Sequence, residues 1–190
     1  MQNVSFKSRI RPVGVGDFYN VARTIGERGN ACPPWTIRDS AFNKDVFTSG
    51  VIDCSVCGIT DGENALLVHI CPTLKENKDF KKIADYIKSK LEFMKKEYLQ
   101  GLILGSQDEE TNESRNLFNK FVDLMEKLNI PTSIFRAAEE EAHVAYISDK
   151  DEWIISTKDV PALLRDRNGE QTIITIFDEV KLSELDEFGE

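Results

Sequence analysis

Two apolar runs rich in β-branched residues, Val51 to Thr60 and Ala65 to Cys71, are separated only by Asp61-Gly62-Glu63-Asn64. Runs of this length around an Asp-Gly turn predict a β-hairpin, which dictates which side chains meet. If Asp61-Gly62 is a two-residue turn, Thr60 pairs with Glu63 and the numbers of opposed residues sum to 123. Cys54 then faces His69 directly, with Cβ atoms roughly 4.5–5.5 Å apart. A four-residue loop, Asp61 to Asn64, changes the sum to 125 and makes the pair diagonal, still on one face. The opposite face collects Cys57, Ile59, Leu66, Val68 and Ile70, which reads as core, with Cys57 a small buried hydrophobe.

The rest of the chain supplies partners for this hairpin. Residues 3–7 and 12–18 read as short strands around Pro12, Gly14 and Gly16, and the Gly-Asn, Pro-Pro and Asp-Ser pairs before Asn43 read as irregular structure. Phe80, Ile83, Ala84, Ile87, Leu91, Met94 and Tyr98 follow the spacing of an amphipathic helix over about 77–98. Leu99 to Gly105 reads as a buried strand, Ser106 to Glu113 as a polar loop and Arg115 to Leu128 as a second amphipathic helix, stopped by Pro131. Further strands are expected over 132–136, 142–148, 152–157 and 172–177, before an acidic tail over 183–190. Strands outnumber helices and are not strictly interleaved with them. The expected class is therefore α/β, with mixed, sandwich-like sheets and flanking helices rather than a doubly wound parallel sheet.

A chain of 190 residues suits one domain, 1–190. Its net charge of −9 opposes a nucleic-acid backbone or an anionic bilayer as partner. The opening MQNVSFKSRIRPVGVG lacks the apolar stretch of a signal peptide, and no apolar run approaches a membrane span. The expected location is cytoplasmic, or another cell reached by a route without a classical signal peptide. Four cysteines, Cys32, Cys54, Cys57 and Cys71, accordingly read as reduced thiols rather than a disulfide frame.

Cys54 and His69 within reach of each other meet the minimum for nucleophilic catalysis at a carbonyl, since an imidazole can take the thiol proton and later protonate the leaving group. From spacing alone the same two residues read more readily as core fillers on adjacent strands. Cys54, Cys57, His69 and Cys71 are also four zinc-ligand types, but Ser55-Val56 within a strand sends the Cys54 and Cys57 sulfurs to opposite faces. No metal and no cofactor is expected. A thioredoxin-like role needs a helix starting at Cys54, and none is expected there. Asp53 reads as structural, His143 as a surface or edge residue, and the acidic loop 106–114 either as a docking border or as a solvated helix lead-in.

The ordered set of motifs resembles the chemoreceptor glutamine deamidases of the CheD type, whose fold is shared by the catalytic domains of the cytotoxic necrotizing factors and a related Burkholderia toxin. In that family a Thr stands six residues before the nucleophilic Cys, an Asp-containing turn follows, and the catalytic His lies on the return strand just before a Pro. Thr48, Cys54, Asp61, His69 and Pro72 match those positions, although Ile52-Asp53 stand where the family has Gly-Ser or Ser-Gly. Pro12 to Asp17, Leu102 to Ser106, Arg115 to Leu124 and Ala145 to Thr157 resemble the family's opening strand, buried strand, second helix and closing hairpin, so the likeness covers about 10–158. Residues from about 159 to 190 form an extension without a counterpart, and 20–47 is longer than its counterpart in the chemotaxis enzymes. The resemblance implies hydrolysis of a protein Gln side chain to Glu with release of ammonia. Cys54 is then the nucleophile, His69 the base and acid, Thr48 the residue orienting the imidazole, and the partner a protein substrate carrying a target Gln. The competing expectation is a non-catalytic protein-binding module on the same fold.

Overall fold

A computed structural model describes residues 8–27, 38–73, 78–105, 112–137, 141–156 and 164–165. The strands expected over 3–7 and 172–177, Cys32, residues 106–111 of the acidic loop and the acidic tail lie outside the described residues. The strands are β1 (Arg9–Val13), β2 (Arg38–Asn43), β3 (Val46–Val51), β4 (Ser55–Thr60), β5 (Ala65–Ile70), β6 (Gln100–Gly105), β7 (Thr132–Ala137), β8 (Ala142–Ile147), β9 (Glu152–Ser156) and β10 (Leu164–Arg165). Among the described residues three α-helices accompany them: α1 (Val15–Glu27), α2 (Phe80–Leu91) and α3 (Asn112–Lys127).

The strands form two mixed sheets, one ordered β1-β9-β8-β3 and the other β10-β7-β6-β4-β5-β2. Strands β4, β5 and β6 are buried at every position, as a sheet covered on both faces requires. On one face Cys57, Ile59, Leu66, Val68, Ile70 and Ile103 pack against α2 and α3. On the other, Val56, Ala65, Leu67, Leu102 and Leu104 meet Val46, Val144, Tyr146, Trp153 and Ile155 of the second sheet. That second sheet turns its outer face, with Ala145 and Ile154, to Phe18, Ala22 and Ile25 of α1. Four layers result: helix, four strands, six strands, two helices.

Three expectations about elements are corrected. Residues 15–18 are helical and not strand, because Phe18, Ala22 and Ile25 repeat at helical spacing and bury one stripe. Arg38–Asn43 is an edge strand paired with β5 and not irregular chain. Helix α2 ends at Leu91 instead of running to Tyr98. The backbone N–H of Lys95, which a continued helix would direct at the Leu91 carbonyl, donates instead to Asp61 Oδ2 at 2.9 Å. Met94 still reaches the core, from a tightened turn.

Asp61 also sets the hairpin. Its Oδ1 accepts the N–H groups of Glu63 at 3.0 Å and Asn64 at 2.7 Å, its own N–H donates to the Asn64 carbonyl, and only Gly62 in the loop has positive φ, 88°. A two-residue type I′ turn needs positive φ at both central residues, so the four-residue loop forms. The register is Thr60↔Ala65 through Ser55↔Ile70, with a sum of 125. Burial pulls the Asp61 carboxyl upward, but the N–H groups of Asn64, Lys95 and Glu63 outweigh it and hold the group below its ordinary value. A depressed folded value gives stability that is complete above the unfolded value of about 3.9 and is lost as pH falls through the folded one. Asp61→Ala is therefore expected to cost about 1–3 kcal/mol at neutral pH. Urea melts at pH 7 and pH 3 check this, and the gap to wild type should narrow at the lower pH.

Candidate active site

The site is made where the chain changes sheets. The expected single strand over 51–60 is in fact broken: Val51 ends β3 in one sheet and Ser55 begins β4 in the other. A register shift between Thr48 and Val51, with Gly50 at φ 75°, bends β3 out of its ladder. Glycine takes that conformation without a Cβ penalty, and a bulge re-aims the strand. Ile52, Asp53 and Cys54 then cross to the neighbouring sheet. The crossing is tied down by Ser114, in the first turn of α3, whose Oγ donates to the Asp53 carbonyl at 3.0 Å. Since that carbonyl and the Cys54 N–H belong to one planar peptide, Ser114 orients the Cys54 N–H as well.

Thr48 and His69 come together from different sheets. Thr48 Oγ1 lies 2.7 Å from His69 Nδ1, with both residues buried. Thr48 is on β3 and His69 on β5, so the bond spans the interior between the sheets. A hydroxyl both donates and accepts, so it fits either imidazole tautomer. When Nε2 is to accept a proton, Nδ1 carries the hydrogen and donates it to Thr48 Oγ1.

Of the two pairings expected for Cys54 and His69, the diagonal one forms and the direct opposition does not. His69 pairs with Val56, so under the observed register it is diagonal to Cys54, as the four-residue loop requires. The residue that meets Cys54 is Cys71, with the two Sγ atoms 3.0 Å apart. Both sit one position beyond the last ladder pair, Ser55↔Ile70. In the sequence Cys71 reads as a reduced thiol and a zinc-ligand type but not as the partner of Cys54, although the sum of 125 already sets the two opposite each other.

Contact with the Cys71 thiol, then burial, then the negative charge of Asp53 hold the Cys54 thiol well above its ordinary range, while the Ile52 N–H pulls the other way. Cys57 lies on the helix-covered face, 3.9 Å from the Met125 sulfur, and burial alone pushes it up to about 12. Among the described residues no cluster of three or more His, Cys, Asp or Glu side chains is arranged to hold a metal ion. No described helix is long and apolar enough to cross a membrane.

No family model and no curated protein matches the chain.

His143 is not at the surface, which corrects the expectation for it. It is 3% exposed on β8 beneath α1, stacked on Phe18 with ring centroids 4.9 Å apart and tilted against Tyr19. Burial lowers its affinity for a proton, and Glu141, 3.9 Å from Nδ1, acts in the opposite sense. It belongs to the outer face of the four-stranded sheet, whereas Thr48 and Cys54 face the interior between the sheets. Asp53 is exposed, and its carbonyl is what the fold uses.

Proposed function

We propose that the chain is a protein-glutamine deamidase of the CheD or necrotizing-factor kind. The observation that carries this is the 2.7 Å bond between Thr48 and His69. It gives a base an oriented ring on the same interior side as a cysteine whose position is held by the sheet crossover. A core His also needs a partner for a buried ring nitrogen; what favours catalysis is that the oriented ring and Cys54 share one side of the sheet.

In this reading Cys54 breaks its contact with Cys71, passes its proton to His69 Nε2 and attacks the carboxamide carbon of a substrate Gln. The oxyanion accepts the Cys54 N–H, whose direction Ser114 fixes. The imidazolium, steadied at Nδ1 by Thr48, protonates the departing nitrogen, and ammonia leaves a thioester. His69 then deprotonates water, which attacks the thioester carbon. The Cys54 sulfur departs, recovers its proton, and leaves Glu. Ile52, 47% exposed beside the nucleophile, offers an apolar contact to the substrate protein.

The second reading is a protein-binding module without turnover. The Cys54–Cys71 contact favours it, because it disfavours the thiolate that turnover needs. Incubation of the reduced protein with candidate substrate proteins, followed by mass spectrometry for Gln-to-Glu conversion and assay of released ammonia, separates the two. Conversion that needs Cys54 supports the enzyme; stable complex formation without conversion supports the module.

A further inference from the structure

The Cys54–Cys71 pair carries an inference that the hydrolytic scheme does not use. Both cysteines are reduced thiols. Their sulfurs, 3.0 Å apart, need to close by only ~1 Å to reach a disulfide's 2.03–2.05 Å. They stand one position beyond the last ladder pair, Ser55↔Ile70, and residues directly opposed on antiparallel strands have Cα atoms roughly 4.5–5.5 Å apart, inside the range a disulfide spans. Cys71 is the more exposed of the two, with Cys54 7% exposed behind it. A partly exposed cysteine beside a buried one, with the sulfurs in contact, suits reversible thiol–disulfide exchange.

We propose that Cys54 and Cys71 are a redox couple whose disulfide removes the nucleophile and whose reduction restores it. The oxidant is a low-molecular-weight disulfide, RSSR. Cys71 as thiolate attacks one sulfur of RSSR, whose S–S bond breaks, and RS⁻ leaves and takes up a proton. Cys54 then loses its proton and attacks Cys71 Sγ, expelling a second RS⁻, which is protonated in turn. The two cysteines are oxidised by two electrons, and RSSR is reduced to two RSH. A dithiol reverses both steps. Formation of the bond stands on the geometry alone; its effect on activity rests on the deamidase reading.

The test treats the full chain with excess oxidised glutathione, quenches it with an alkylating reagent, and maps peptides without reduction. The expected product is two hydrogens lighter, carries a Cys54–Cys71 link and no glutathione, and returns to the starting mass with dithiothreitol. Cys71→Ser, shown by thermal melting to be folded, should form no such link. Glutathione left on either cysteine without an internal bond, a bond from Cys54 or Cys71 to Cys32 or Cys57, or a chain that stays fully reduced each overturns the inference. Deamidation measured on the same samples should fall by at least ~100-fold on oxidation and return on reduction. If the link forms but even the reduced chain converts no Gln, the redox couple stands and the deamidase reading falls. If the reduced chain deamidates and no link forms, the reverse holds.

Discussion

Cys54→Ser and His69→Ala are expected to bring deamidation down to background, whereas Thr48→Ala should retain turnover reduced by roughly 10- to 1000-fold, or about 1.4–4 kcal/mol of barrier. Nucleophile and base act as one unit, so loss of either is as severe as loss of both. Thr48 touches neither the reacting sulfur nor the substrate in this scheme. Its hydroxyl orients the ring through Nδ1, and a ring without that partner still samples the productive orientation for part of the time. Thr48→Ser keeps an oxygen and should recover most of the loss, which mere removal of a methyl from the core would not explain. Thermal melts accompany each variant, since most single changes cost about 0.5–3 kcal/mol. A folded Cys54→Ser protein that still converts Gln at the wild-type rate would sink the catalytic reading.

A large effect on stability is expected at Gly58. A Cβ there would lie 2.4 Å from Cη2 and 2.8 Å from Cζ3 of Trp153, which is fully buried between the sheets. The indole cannot bend away, and Tyr146 is packed against it with ring centroids 4.9 Å apart. Gly58→Ala must therefore part the sheets locally, at a cost of about 3 kcal/mol or more. That is a fall in Tm of roughly 6–12 °C for a chain of this size. Gly16→Ala makes the control: its Cβ would meet nothing within 4 Å, in α1, and alanine is the better helix former by up to ~1 kcal/mol. The two substitutions should shift Tm in opposite directions. Equal shifts would mean that the sheet-to-sheet spacing is set elsewhere than at the Gly58–Trp153 contact.

Much of this architecture is legible in the sequence because apolar period and burial coincide. The stripe Ile83, Ala84, Ile87, Leu91 marks α2, and the alternation of Cys57, Ile59, Leu66 and Val68 names the helix-covered face of the hairpin. Helix α1 was obscured by Gly14 and Gly16, which read as turn formers, although the Phe18, Ala22, Ile25 spacing was present. The change of sheet at 52–54 was invisible, because an apolar run gives no sign of which sheet each residue joins. The register turned on side-chain hydrogen bonds from Asp61, beyond the reach of a pairing rule based on Asp-Gly alone. The same two-position slip hid Cys71 behind His69. Thr48 came from a family likeness, since nothing in its spacing announces a partner on another sheet. His143 was misplaced because the element that buries it had been read as strand.

The four-stranded sheet draws on both halves of the chain. Strand β1 lies parallel to β9, and Arg11 is paired with Glu152 across 141 positions of sequence. Strand β3, which carries Thr48, is held through β8, whose residues are made almost a hundred positions later. Contacts of such long separation form slowly, because the entropy of closing a large loop is spent before the contact returns anything. During synthesis the hairpin bearing Cys54, His69 and Cys71 emerges and can pair on its own, whereas the partner of His69 has no sheet to stand on until 142–147 have been made. The orienting hydroxyl therefore arrives last, and a nascent or truncated chain holds a cysteine and a histidine without the geometry that couples them.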